Sequence, residues 1–131
     1  MSAGDTESEK VRILAVDDRK EHLLAIQSIL DRPDYEVVTA TSGNEALGLA
    51  LRSDFAVIIL DVAMPEMDGF EAATLLRQRE RARMIPIIFV SAEMYDMEHI
   101  FKAYGVGAVD FLPKPIDTHT LRAKVALPVP A

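Results

Sequence analysis

Five side chains in this sequence stand where they can do chemistry. Asp17 and Asp18 are adjacent carboxylates, Asp61 is a third, Ser91 is a hydroxyl and Lys114 an ammonium. Each closes, or nearly closes, a short run of apolar residues. An ionised carboxylate at such a place is costly unless something cationic faces it. Three of them brought together repel unless a cation is shared. Hard oxygen ligands, with no His or Cys among them, select Mg2+, which keeps several waters and takes only one or two carboxylates plus phosphate oxygens. Lys114 is a point charge suited to a phosphoryl oxygen, and Ser91 can donate one hydrogen bond to another. The set suits phosphoryl transfer, where catalysis is mostly positioning and charge neutralisation. No Ser, Cys or His stands in an activated-nucleophile arrangement, so the nucleophile is a carboxylate, with Asp61 the central one.

The elements that must position these groups follow from the patterning. Val57-Ile58-Ile59-Leu60 is an unbroken apolar run with three β-branched members. It reads as a strand buried on both faces, the kind found inside parallel sheets, delivering Asp61 at its C-terminal end. Val11 to Val16 is a first strand ending in Asp17-Asp18. Tyr35 to Ala40 is a second, Ile85 to Val90 a fourth ending in Ser91-Ala92, and Ala108 to Leu112 a fifth before Pro113-Lys114-Pro115. The third is expected over Phe55 to Leu60. Helices are expected between them. The first spans Arg19 to Leu30, with Leu23, Ile26 and Leu30 on one face. The second runs from the Ser42–Glu45 capping box to Arg52 and buries Ala46, Leu47 and Ala50. The third starts near Asp68 and ends in a solvated stretch over Arg77 to Arg81. The fourth spans Tyr95 to Tyr104, with Gly105 a C-cap candidate. The fifth is capped by Asp117 and spans Thr118 to Leu127. Five strands alternating with five helices make an α/β fold: a parallel sheet with right-handed crossovers and helices on two faces. Such a sheet collects the loops after its strands at one edge, where ligands sit.

Composition narrows the class. With 131 residues, half of them hydrophobic, the chain is expected to form one domain over 11–127. Residues 1–10 read as a disordered lead-in and 128–131 as a tail. Cysteine is absent, which rules out disulfides and thiolate sites and fits a reducing compartment. The net charge of −7 argues against nucleic-acid binding by this domain. No apolar run reaches membrane-spanning length and the N-terminus has no signal-peptide pattern. His22, His99 and His119 are scattered and read as surface residues. Arg19, next to the acidic pair, has two readings: a residue at the pocket mouth, or a solvated first-turn arginine.

Four motifs, each at a strand end and in this order, resemble the receiver domain of two-component response regulators. They are Val16-Asp17-Asp18, Leu60 to Gly69 (Leu-Asp-Val-Ala-Met-Pro-Glu-Met-Asp-Gly), Val90-Ser91-Ala92 and Phe111-Leu112-Pro113-Lys114-Pro115. The resemblance covers about Val11 to Val125. It implies a doubly wound, flavodoxin-like sheet of strand order 2-1-3-4-5. It implies that Asp61 accepts a phosphoryl group from a phosphohistidine on a sensor histidine kinase or phosphotransfer protein. Mg2+ is then held by Asp18, Asp61 and the backbone carbonyl of Ala63, with Asp17 assisting. Lys114 pairs with the phosphoryl group, the backbones of Ala63 and Ala92 contact it, and Ser91 with Phe111 forms the switch. A cis Lys114–Pro115 bond is expected. The domain assists its own phosphorylation and dephosphorylation but is not otherwise an enzyme. The implied setting is cytoplasmic signal transduction, by a stand-alone chain or one covalently linked to an output or kinase domain. A homodimer through the face of helix four, strand five and helix five is compatible with it. Ala63 cannot steer a hydrolytic water, whereas Glu93 is placed to hydrogen-bond near the site or shield it.

Other classes fit less well. A haloacid-dehalogenase-type phosphatase wants a second Asp where this chain has Ala63. A nucleotide-binding module wants a Gly-rich phosphate loop, but Gly105-Val106-Gly107 precedes a strand instead of following one. A receiver acting only as a phosphorylation-independent interaction module remains the alternative, against the complete acidic set.

Overall fold

A computed structural model describes residues 10–92, 105 and 108–126. Its sheet has five parallel strands, β1 (Val11–Val16), β2 (Tyr35–Ala40), β3 (Val57–Asp61), β4 (Ile87–Ser91) and β5 (Ala108–Pro113), in the order β2-β1-β3-β4-β5. The helices among the described residues are α1 (Lys20–Ile29), α2 (Gly43–Arg52), α3 (Gly69–Arg77) and α4 (Thr118–Ala126). Thus four of the five expected helices are seen. The one expected over Tyr95 to Tyr104 lies outside the described residues, and α4 is the fifth of the sequence.

Period-two alternation within the strands builds two cores, one on each face of the sheet. Leu14, Val16, Ile58, Leu60, Ile87 and Phe89 point one way and pack with Ala46, Ala50, Phe70, Ala73 and Leu76 of α2 and α3. Ile13, Ala15, Val57, Ile59, Ile88 and Val90 point the other way, onto Leu23, Ile26, Leu121 and Val125 of α1 and α4. Both faces of β1, β3 and β4 are therefore buried, which is why these strands read as continuous apolar runs. Leu47, expected in the core, is only partly buried at its margin.

Caps set the helix starts. Ser42 Oγ accepts the Glu45 amide at 3.1 Å. Glu45 reaches one residue further back than expected, to the amide of Thr41 at 2.6 Å. Asp68 Oδ1 accepts the Glu71 amide, and Asp117 Oδ2 the Thr120 amide, both at 2.8 Å. Strand bounds shift slightly: β3 includes Asp61, and β4 begins after Pro86, whose carbonyl accepts the Ile58 amide. Arg77 departs from its expected solvated role. Its guanidinium donates to the carbonyls of Ala82, Arg83 and Ile85, closing the connection from α3 to β4.

The turn from β3 into α3 is tight. The Gly69 amide donates to the Val62 carbonyl at 2.8 Å. A Cβ on Gly69 would collide with the carbonyl oxygen of Asp61 and stand 2.8 Å from Val62 Cα. Both are backbone atoms that cannot step aside. Gly69→Ala is therefore expected to destabilise the fold by about 1–3 kcal/mol, the range for overpacking, as measured by urea unfolding.

Candidate functional site

The C-terminal ends of β1, β3, β4 and β5 meet at one sheet edge, and each brings its polar group. Asp17 follows β1 and its amide donates to the Ala40 carbonyl. Asp61 closes β3, and the next amide, that of Val62, donates to the Val90 carbonyl. Ser91 closes β4, and its carbonyl accepts the Lys114 amide at 2.8 Å, tying the last two strand ends together. Asp17, Asp61 and Ser91 are buried, Asp18 is exposed, and the Lys114 side chain is 13% exposed. Carboxylate oxygens of Asp17, Asp18 and Asp61 lie within 4.8 Å of one another.

Lys114 is the hub. Its Nζ donates to Asp17 Oδ2 at 2.7 Å and stands 3.2 Å from Asp61 Oδ1. One ammonium thus bridges two buried carboxylates and leaves negative charge in excess. Burial pushes the Asp61 carboxyl up to about 6, and the Asp17 charge adds to the rise; Lys114 opposes it by charge and hydrogen bond. A site with this excess fits a small divalent cation, and all-oxygen donors are the set that suits Mg2+. Ala63 and Ala92 lie exposed in the loops beyond β3 and β4. Phe111 is half-buried on β5, its ring 6.2 Å from that of Phe89. The Lys114–Pro115 peptide is cis, as expected. Glu93 lies outside the described residues.

His22 overturns its surface reading. It lies in the first turn of α1, with Nδ1 3.1 Å from Asp17 Oδ2 and 3.0 Å from Lys114 Nζ. The available signal was its place one turn beyond the acidic pair, on the helix that this pair leads into. Arg19 resolves both its readings at once. It pairs with Glu21 at 2.8 Å in solvent while also lining the mouth of the site. A cleft of about 530 Å³ opens there between α1 and the segment after β5, with Arg19, His22 and Lys114 at its charged end and Ile29 and Ile116 among its apolar walls.

A five-stranded parallel sheet in this order, with an acidic trio and a half-buried lysine at its carboxyl edge, defines the class: a signalling receiver. The match to known proteins agrees. The chain belongs to the response regulator receiver domain family, whose model it matches over residues 13–126. It is 40% identical over 114 residues to the response regulator PleD of Caulobacter vibrioides, covering 87% of this chain and 25% of that protein. Among solved structures it is similar to the chemotaxis protein CheY4 of Vibrio cholerae, with TM-score 0.84 and 34% identity over 92% of this chain and 99% of that one. Another is the receiver domain of the sensor histidine kinase PA1611 of Pseudomonas aeruginosa, with TM-score 0.80 and 26% identity over 90% of this chain and 96% of that one. That structure has a magnesium ion coordinated in its active-site cleft. The chain spans a quarter to a half of the length of the curated relatives it matches. No described helix is long and apolar enough to cross a membrane.

The raised Asp61 value has a thermodynamic sign. A carboxyl whose folded pKa lies above its unfolded one leaves stability intact below the ordinary carboxylate range. That stability is lost as pH climbs through about 6. Asp61→Asn is therefore expected to stabilise the metal-free protein by about 1–3 kcal/mol at neutral pH, the order set by a rise of this size. The gain should vanish near roughly pH 4, as thermal unfolding of both proteins across the pH range checks.

Proposed function

We propose that this receiver is a phosphoacceptor switch in which Asp61 takes a phosphoryl group from a phosphohistidine on a sensor kinase or phosphotransfer protein. The observation that carries the reading is the Lys114 ammonium set between buried Asp17 and Asp61. An Asp61 oxygen attacks phosphorus as the bond from phosphorus to the partner's imidazole nitrogen breaks. Lys114, 3.2 Å from Asp61 Oδ1, is placed to neutralise an oxygen of the arriving group. Backbone amides of Ala63 and Ala92 contact the others. Asp17, Asp18, Asp61 and the carbonyl of Ala63 would hold Mg2+, which supplies charge neutralisation for phosphoryl oxygens.

The phosphorylated carboxylate carries new acceptor oxygens and about −2 charge. Ser91 donates to one of them, and Phe111 fills the space it leaves. The result is a population shift between two packings of the β5–α4 face, read by a partner, a second copy or a linked domain. The expected setting is the cytoplasm, where the kinase partner works.

Incubation with Mg2+ and acetyl phosphate, followed by intact-mass analysis, tests the reading. The chain should gain one phosphoryl group, stable in acid and labile in base. Asp61→Asn should gain none while remaining folded. Stoichiometric labelling of the Asn variant at the same site would place the nucleophile elsewhere. A folded wild-type chain inert to donor and metal would be the phosphorylation-independent interaction module.

Mg2+ should raise the melting temperature of wild type, with the rise growing as the logarithm of its concentration above the dissociation constant. In Asp61→Asn the gain should be much smaller, since one anionic ligand is lost; differential scanning calorimetry at fixed pH measures both.

A further inference from the structure

Arg19 is anchored by its backbone and only loosely held at its head. Its amide donates to Asp17 Oδ1 at 3.0 Å, and its carbonyl accepts the amides of His22 and Leu23 in the first turn of α1. The side chain is 62% exposed and rests on Glu21, with Nε and one terminal nitrogen both 2.8 Å from the same carboxylate oxygen. A solvent-exposed pair of this kind contributes little and is given up at little cost. The pKa of Arg19 stands above the ordinary arginine value, raised first by the hydrogen bond to Glu21, then by the Glu21 charge and after it by those of Asp18 and Asp17. The guanidinium thus already lies in the field of the acidic pair. It also shares the wall of the cleft with Lys114 and Ala92.

We propose that Arg19 leaves Glu21 and clamps the phosphoryl group on Asp61 from the cleft side. This inference rests on the reading of Asp61 as phosphoacceptor. Its physical reason is a charge balance in which the metal is counted. With Mg2+ bound, its two positive charges and the Lys114 ammonium offset Asp17, Asp18 and Asp61 in their ionised forms. A phosphoryl group on Asp61 replaces that residue's single charge by about two. About one negative charge is then left uncovered at the sheet edge, where Asp17 and Asp61 are buried. Besides Lys114, Arg19 is the one arginine or lysine among the described residues that line the cleft.

The geometry suits this task. The path from the Arg19 amide to Asp61 runs through the Asp17 carboxylate and Lys114 Nζ, over contacts of 3.0, 2.7 and 3.2 Å. Arginine is the longest cationic side chain, and its planar fork of donors matches two phosphoryl oxygens at once. Glu21 does not fill that fork, since both donors converge on one of its oxygens. Arg19 makes and breaks no covalent bond and moves no proton; it touches phosphoryl oxygens only. Two effects of opposite sign follow. Before phosphorylation the Arg19 charge opposes Mg2+, and the pairing with Glu21 keeps it aside. After phosphorylation the same charge holds the new group in place.

Amide NMR spectra of the full chain test this through two titrations at fixed pH and ionic strength: Mg2+ alone, and beryllofluoride at saturating Mg2+. Beryllofluoride mimics a phosphoryl group and brings no protein partner, so a loss seen with it is a loss at the pocket and not at a kinase surface. Arg19→Ala should bind beryllofluoride about 5- to 10-fold more weakly than wild type, the low end for a hydrogen bond to a charged group at an exposed site. Its Mg2+ affinity should be equal or higher. Glu21→Gln, which releases the guanidinium, should bind beryllofluoride at least as tightly as wild type. Equal beryllofluoride affinity in Arg19→Ala and wild type overturns the proposal. So does a parallel loss of Mg2+ affinity, the mark of a merely structural role, or weaker beryllofluoride binding by Glu21→Gln. Any of these sinks this inference alone, whereas a wild-type chain that binds no beryllofluoride in Mg2+ sinks the phosphoacceptor reading with it.

Discussion

Too many negative charges share too few positive ones at the carboxyl edge of this sheet, and the rest of the site follows from that imbalance. Asp17 and Asp61 are buried, Asp18 stands at the rim, and Lys114 is the cation the structure places among them. One ammonium can approach two carboxylates closely, and it does so unequally, at 2.7 and 3.2 Å. Asp17, with the shorter contact and the Arg19 amide on its other oxygen, is the better served. Asp61 is left underpartnered, and burial raises its pKa to about 6. Asp61 is thus a group whose ionised form its surroundings support poorly. A divalent cation or an incoming phosphoryl group with its counter-charge completes a deficit instead of intruding on a balanced site.

The fold tolerates this deficit because the pocket is supported from below by two independent cores. Each of β1, β3 and β4 buries alternate side chains on opposite faces, so the strand ends are fixed from both sides. β1 and β3 pair without irregularity up to Val16 and Leu60, immediately before Asp17 and Asp61. The β4–β5 ladder differs: its register shifts between Ile87 and Ile88. That irregularity lies at the far end of β4 from the site; from Ile88 to Ser91 the ladder is regular, and the hydrogen bond from the Lys114 amide to the Ser91 carbonyl joins the two strand ends.

How much of this was legible in the sequence depended on whether a residue's place is set by a strand or by a helix. Asp17, Asp61, Ser91 and Lys114 could be read because an apolar strand in a parallel sheet has only one place for its last residue to go. The strand order was not in the periodicity. It came with the receiver motifs, because period-two patterning says which faces are buried but not which strands are neighbours. His22 was missed for a different reason. On a helix the direction of a side chain depends on where the first turn starts, and here an unusual cap sets that start. Arg19 has no capping side chain of its own, and the helix is entered through Asp17, whose carboxylate accepts the Arg19 amide. That bond turns the first turn so that His22 faces back toward the same carboxylate. Arg77 was misread on the same account, since a charge run shows no sign of three carbonyls waiting for one guanidinium.

Asp17 consequently does more than lend a charge to a cation. Its two oxygens receive a backbone amide, an ammonium and the approach of an imidazole, from α1 and from the segment after β5. It links the start of one helix to Lys114 across a sequence separation of 97 residues. Any redistribution of Lys114 toward Asp61 must therefore be felt at the first turn of α1, through shared hydrogen bonds and without a change in either core. The cleft beside it has its charged end on these same residues and its apolar walls on Ile29 and Ile116. A group entering that cleft meets His22 before it meets Asp61. The hydrogen-bond arrangement around Asp17 thus ties the mouth of the cleft to the acidic group at the sheet edge.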